Sequence, residues 1–172
     1  MQGSQDAARS SSSTRRLLAA LSALCLLAVG AALVAQYAFD MRPCPWCVLQ
    51  RGVYLLMALA LGLSAALHRR AGPAWKILAA LGLSLAAAGI ASALYQHLVA
   101  AQQFSCSRTL ADKIVAATQL DALLPAVFSA TASCAEAAVS VLGIPFAYWS
   151  LGLYLILAAG SVWALLRPST GR

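Results

Sequence analysis

Cys44-Pro45-Trp46-Cys47-Val48-Leu49-Gln50-Arg51 opens an apolar run that continues to Leu67. Proline is favoured at the first position of a helix because its missing N–H would have no partner there. That puts Cys44 near the helix cap and Cys47 in the first turn, where unpaired amides and the helix dipole favour a thiolate. The run that follows has the roughly 20 residues needed to cross a hydrocarbon core. The reading is therefore a pair of exchangeable thiols at the mouth of a membrane-spanning helix, within reach of a lipid-soluble electron carrier.

Three further stretches have the same length and character, so the spans are expected at 17–37, 48–67, 74–95 and 145–166. Of the 172 residues, 62% are hydrophobic and 10% charged, and the mean hydropathy is +0.79. A soluble domain of this size needs more charge on its surface. The expected fold class is an all-α membrane protein: a four-transmembrane-helix bundle, one domain over 17–166, with a long external loop containing a short helix. Residues 1–16 read as a disordered cytoplasmic tail and 167–172 as a second one. Arg15-Arg16 before an apolar run has the look of a secretory signal. The run is long for a signal core and no small-x-small cleavage site follows, so it is read as a retained span.

The net charge of +7 would suggest nucleic acid in a soluble protein. Its distribution argues otherwise. Arg9, Arg15, Arg16, Arg69, Arg70, Lys76, Arg167 and Arg172 fall on one side of a four-span topology. Arg42, Arg51, Arg108 and Lys113 fall on the other, with Asp40, Asp112, Asp121 and Glu136. The positive-inside rule makes the first side cytoplasmic. Cys44, Cys47, Cys106 and Cys134 then lie on the opposite side, where disulfides persist. Cys25, inside the first span, reads as a small buried hydrophobe.

Connections separate these spans unevenly. The first external loop, about 38–47, is short and holds the Cys pair near the membrane surface. The second, about 96–144, carries Cys106 and Cys134. Within it Thr109-x-x-Asp112 has the form of a capping box, predicting a helix from Leu110 to about Leu124 before Pro125 interrupts it. Its apolar positions leave open a helix lying in the membrane interface. A short apolar stretch follows Cys134 through Val139 and Leu142.

Each candidate site has a blander reading. A zinc half-site at Cys44 and Cys47 would need a second close ligand pair, and Cys106 and Cys134 do not supply one. Arg51, four residues after Cys47 and on the same helix face, is either a snorkelling arginine or a donor to the thiolate and to an acceptor's carbonyl oxygen. Cys106 and Cys134 could be a static brace of the long loop. With two pairs on one side, they could also exchange disulfides with the first pair and pass two electrons inward. His97 and Gln96, at the outer end of the third span, fall near the depth of Cys47.

These residues resemble the bacterial disulfide-bond-formation protein B (DsbB) family. Cys44-Pro-Trp-Cys47-Val-Leu-Gln-Arg51 is similar to that family's Cys-x-x-Cys followed by Arg. Tyr95-Gln96-His97 resembles its Tyr-Glu-His, and Ser133-Cys134-Ala135-Glu136 its Cys-Ala-Glu element. Gln50 and Gln96 depart from it, standing where some relatives carry an acid, and no role is carried to Trp149. The resemblance implies a quinone-dependent thiol oxidase of the bacterial inner membrane. Cys106–Cys134 would oxidise a periplasmic, thioredoxin-fold, DsbA-like protein through a mixed disulfide at Cys106. Cys134 would exchange with Cys44, and Cys47 would face a ubiquinone or menaquinone contacted by Arg51, with His97 nearby. A vitamin-K-epoxide-reductase-like enzyme keeps its Cys-x-x-Cys late in the chain, unlike this one. A membrane scaffold braced by two inert disulfides is the alternative from another class.

Overall fold

In the computed structural model the described residues are 2–68, 72–102 and 109–167, with side chains described from Ser12 onward. Among them, four helices are long and apolar enough to cross a membrane. They are α1 (Gln2–Ala38), α2 (Pro45–Leu67), α3 (Ala74–Leu98) and, after the external segment, α7 (Phe146–Leu166). Between α3 and α7 run a 3-10 turn (Ala100–Gln102), three short helices and a two-stranded hairpin.

Helix α1 begins well before its apolar part. The polar stretch read as a disordered tail is helical from Gln2 onward. Ala, Gln, Arg and Ser fill it without a proline, and once the apolar span is helical each added residue gains one hydrogen bond without a new nucleation cost. Helix α3 likewise runs past Tyr95 to Leu98 before its C-cap at Val99.

Packing follows chain order: α1 lies on α2, α2 on α3 and α3 on α7, whereas α7 and α1 meet much more lightly. The core joins Leu18, Leu21 and Cys25 of α1 to Met57 and Leu61 of α2 and to Tyr154 and Leu157 of α7. The spacing of 18, 21 and 25 is the i+3, i+4 stripe of one helix face. Cys25 is fully buried there. Helices in lipid gain no hydrophobic drive to associate, so close packing at small residues takes its place. Accordingly Gly82 lies against Leu61, Gly89 against Tyr154 and Gly160 against Leu21. Buried hydroxyls bond backbone carbonyls: Ser22 Oγ donates to Ala58 O and Ser64 Oγ to Trp75 O, both at 2.7 Å. The outer faces carry Leu27, Leu59, Ile77 and Ile156, all more than half exposed, as hydrocarbon surroundings permit.

The external segment departs in detail from the single helix expected over 110–124. Helix α4 (Leu110–Thr118) starts at the Thr109–Asp112 capping box but stops at Gln119, whose φ of 53° is left-handed. A turn of helix, α5 (Leu120–Leu123), follows. Pro125 then opens α6 (Pro125–Phe128) as its first residue, the place where its missing N–H costs nothing. The apolar stretch after Cys134 forms the hairpin of β1 (Ser140–Val141) and β2 (Ile144–Pro145). Its turn uses Leu142 and Gly143, at φ 55° and 78°.

Candidate functional site

The site is assembled at the start of α2. Cys44 is the N-cap, in extended conformation, and Pro45 is the first helical residue. The Cys47 amide donates to Cys44 Sγ at 3.3 Å, and the two sulfurs stand 2.7 Å apart. Cys44 is fully buried, whereas Cys47 is half-buried. The local sequence is enough to produce this arrangement, because an N-cap side chain faces the free amides of its own first turn.

Bringing Cys134 to the same place takes two ties from elsewhere in the chain. The Pro43 carbonyl accepts the N–H groups of Thr131 and Ala132, at 3.0 and 3.3 Å. This fastens the incoming strand beside the Cys pair. Ser133 and Glu136 then form a reciprocal box: the Ser133 amide and hydroxyl both donate to Glu136 Oε2 at 2.8 Å, and the Glu136 amide donates to Ser133 Oγ at 3.3 Å. These bonds hold the Glu136 carboxyl below its ordinary value. The turn so fixed seats Cys134 in an apolar nest with Cys44, Trp46, Ala100, Ala111 and Ala137.

There Cys44 and Cys134 lie together in the nest, and Cys44 Sγ is also bonded to Cys47 Sγ. Cys44 is held well above the ordinary thiol range by its side-chain bonds, first to Cys134 and then to Cys47, and by burial. Cys134 is held below it, chiefly by the bond from Cys44, with help from the Trp46 backbone amide. A sulfur that carries charge readily therefore lies against a protonated one. Three of the four cysteines expected to relay electrons are thus gathered at one helix start, and Cys106 lies outside the described residues.

Against Cys47 a cavity of about 510 Å³ opens between α1, α2 and α7. Its polar end is made by Cys47, Gln50, Arg51 and Gln96; its walls are Ala28, Ala31 and Ala32 of α1 and Gly152, Leu153 and Ile156 of α7. The alanines of α1 and Gly152 leave the room, at the seam where α1 and α7 scarcely touch. Tyr54 and Trp149 complete it, and Trp149 Nε1 donates to Val141 O at 3.3 Å, tying the hairpin to α7.

Arg51 does not snorkel. It is 5% exposed, and Nη1 donates to Gln36 Oε1 at 2.7 Å and to Val127 O at 2.9 Å. One cation thus ties α1 and α6 to α2, at the edge of the cavity. His97 takes a different place from the one expected. Its ring rests on Tyr148 with centroids 4.5 Å apart, and Tyr148, not His97, lines the cavity. The neighbouring Gln96 enters instead. Gln96 Nε2 donates to Cys47 Sγ at 3.3 Å, and Gln96 Oε1 accepts from Gln50 Nε2 at 2.7 Å. The sequence marked Gln50 and Gln96 as departures from the family pattern at this depth without naming them site residues, carried no role to Trp149, and did not point to Tyr54. The available signal was a polar side chain within a span, which marks a functional position by default.

The cavity's size falls within the ~300–1,000 Å³ of small-ligand pockets. Mostly apolar walls with N–H donors grouped at one end fit a flat ring bearing carbonyl oxygens and an apolar tail. Arg51 and the Gln50–Gln96 pair would hold such a ring beside Cys47.

Comparison with known proteins agrees with this architecture. The family described as Disulfide bond formation protein DsbB matches residues 14–164. A Disulfide bond formation protein B of Alkalilimnicola ehrlichii is 36% identical over 154 residues, covering 88% of this chain and 93% of that protein. One from Pseudomonas syringae pv. tomato is 32% identical over 145 residues, 84% of this chain and 85% of its own. One from Aromatoleum aromaticum is 32% identical over 162 residues, 92% and 96% respectively. No solved structure matches the chain significantly.

Proposed function

The chain belongs to the DsbB family of disulfide bond formation proteins, as a multi-pass membrane protein with a disulfide oxidoreductase role, and from that premise we propose that it reoxidises a DsbA-like dithiol protein and delivers the electrons to a membrane quinone. The observation that carries the reading is a continuous line of reactive groups: Cys134 on Cys44, Cys44 on Cys47, and Cys47 on the cavity.

The relay runs by thiolate attack on disulfides. A thiolate of the partner attacks Cys106 of a Cys106–Cys134 disulfide, forming a mixed disulfide and releasing Cys134 as thiolate. The partner's second thiol displaces Cys106 and leaves the partner oxidised. Cys134 attacks Cys44 of a Cys44–Cys47 disulfide; the new bond is Cys134–Cys44 and Cys47 leaves as thiolate. Cys106 then displaces Cys44 from Cys134, restoring the outer disulfide and leaving Cys44 and Cys47 reduced. The Trp46 backbone amide, which favours the Cys134 thiolate whatever the redox state of Cys44, suits Cys134 as leaving group and nucleophile, because a stabilised thiolate leaves faster.

A quinone bound in the cavity would take up the two electrons of the reduced Cys44–Cys47 pair, with the Cys44 proton and a second proton from the aqueous side, and depart as quinol. Arg51 and Gln96 orient donors to the end of the cavity where negative charge develops, and the apolar walls exclude water from it. Both a ubiquinone and a menaquinone carry the carbonyls these donors require. The distribution of basic residues argues for a bacterial inner membrane with both termini cytoplasmic and the cysteines periplasmic, where the reaction would sustain disulfide formation in secreted proteins.

The test is quinone reduction by the purified protein with a reduced DsbA-like protein as donor, followed by quinone absorbance. Turnover requiring Cys44, Cys47, Cys106 and Cys134 is expected. Cys47→Ser should abolish quinone reduction, and Cys106→Ser should abolish mixed-disulfide trapping. Undiminished turnover in either variant, or an inert wild type with both disulfides intact, overturns the relay.

A further inference from the structure

We propose that Gln96 acts as the hydrogen-bond donor that holds Cys47 as a thiolate, and that Gln50 is the positioning residue that aims it. The proposal rests on the reading of Cys44 and Cys47 as a working redox pair and adds what sets that pair's oxidising strength.

An amide side chain has an acceptor end and a donor end, and which end meets the sulfur decides the sign of its effect. Gln96 Oε1 is engaged by Gln50 Nε2 at 2.7 Å. With its oxygen so occupied, Gln96 turns its nitrogen to Cys47 Sγ, 3.3 Å away. Both amides are nearly inaccessible, Gln50 at 4% and Gln96 at 6% exposure, so water does not compete for these bonds. Gln50 sits on α2 one residue before Arg51, and Gln96 on α3. The relative placement of two core helices therefore fixes the amide's direction.

Charge makes the donor matter. Among the described residues lining the cavity, Arg51 is the single cation and no carboxylate is present. The guanidinium spends its Nη1 on Gln36 and Val127, and no direct bond from it to Cys47 is seen. Gln96 is then the side-chain donor from outside the pair that touches the sulfur when it becomes negative, alongside the Cys44 thiol. Glutamine supplies that donor without adding charge. A carboxylate in its place would present an acceptor to the thiolate and repel it.

Reducing the pair takes two electrons and one proton, converting the disulfide to the Cys44 thiol and the Cys47 thiolate. Stabilising that thiolate stabilises the reduced form and makes the disulfide a stronger oxidant. A hydrogen bond to a charged group contributes about tenfold or more in an equilibrium constant, and tenfold corresponds to about 30 mV for a two-electron couple.

The experiment measures the reduction potential of the Cys44–Cys47 pair in the full-length, detergent-solubilised chain. The chain is equilibrated with thiol–disulfide redox buffers and read by mass-tagging of free thiols. Gln96→Leu should lower the potential by about 30 mV and Gln96→Glu, close in shape and opposite in polarity, by more than that. Gln50→Leu, which frees the Gln96 amide to rotate, should give a smaller drop. In the reduced proteins, alkylation of Cys47 at pH 7, resolved by peptide mass, should slow about tenfold in Gln96→Leu, with the Cys134 rate as the internal control on folding. A wild-type potential in Gln96→Glu overturns the proposal, and Gln96→Glu remains informative if Gln96→Leu fails to fold. Neither acceptor nor partner protein is present. A wild type that fails to reduce quinone would therefore count against the relay alone, and an unmoved potential against Gln96 alone.

Discussion

Replacing Gly89 by alanine should loosen the cavity from behind. A Cβ built on Gly89 would lie 2.2 Å from Cε1 and 2.4 Å from Cδ1 and Cζ of Tyr154. Carbon atoms rest about 3.5–4.0 Å apart, so the ring must retreat by roughly 1.3–1.8 Å. Tyr154 is fully buried, and its ring lies parallel to that of Tyr54 with centroids 4.4 Å apart. Because Tyr54 lines the cavity, displacing the stacked pair is expected to alter the cavity wall and to strain the bond from Tyr154 Oη to Gln50 O, now 3.1 Å. Overpacking of this kind costs about 1–3 kcal/mol, and a weakened buried hydrogen bond adds about 1 kcal/mol. A loss of about 2–4 kcal/mol is expected in denaturant unfolding of the detergent-solubilised protein, with a raised apparent KM for quinone. Gly30→Ala, where an added Cβ meets nothing within 4 Å, is the matched control. Trimming the ring in Gly89→Ala/Tyr154→Leu should recover part of the loss. A Gly89→Ala protein as stable as Gly30→Ala, with unaltered quinone dependence, would refute the coupling of Gly89 to the cavity through the two rings.

Two further outcomes are expected. Arg51→Ala leaves Gln36 Oε1 and Val127 O without their donor; it should lower stability by about 3–6 kcal/mol, since bonds to charged groups are worth about 1.5–3 kcal/mol each, and should raise the apparent KM for quinone. Unfolding and quinone titration measure the two effects separately, and an unchanged quinone dependence removes Arg51 from the site. Cys134 is held below the ordinary thiol value by the bond from Cys44; its interaction is therefore complete above the unfolded thiol's value and lost as pH falls through the folded one. Its alkylation profile should lie at lower pH in the native chain than in the denatured one, and Cys44→Ala should move it up towards the denatured profile. Coincident native and denatured profiles would exclude the Cys44–Cys134 contact.

The spans were legible because crossing hydrocarbon imposes a length and a composition that a sequence displays directly. Capping chemistry was equally legible at Thr109 and Asp112, where both bonds of the box form. The end of that helix was not, because nothing in Gln119 announces a left-handed residue and Pro125 begins a helix as readily as it ends one. Ser133 and Glu136 have the same box spacing, but what their turn achieves depends on the Pro43 carbonyl about 90 residues earlier in the chain. For the same reason Cys134 could be linked with Cys44 only through a family resemblance. Gln96 and His97 show the limit most sharply. They are adjacent in sequence at one depth, and a rotation of about 100° about the helix axis puts one on Cys47 Sγ and the other outside the cavity, against a tyrosine that lines it.

The lightly joined seam between α1 and α7 has a kinetic consequence. If the cavity opens at that seam to the hydrocarbon, a quinone of the kind proposed would arrive by lateral diffusion from a two-dimensional phase. The concentration that governs occupancy is then a mole fraction among amphiphiles, not an amount per volume of water. Detergent or lipid added at constant quinone would then dilute the proposed quinone at the protein even though the solution's total content is unchanged. A saturation constant for the proposed quinone would therefore belong to a stated amphiphile and a stated quinone-to-amphiphile ratio.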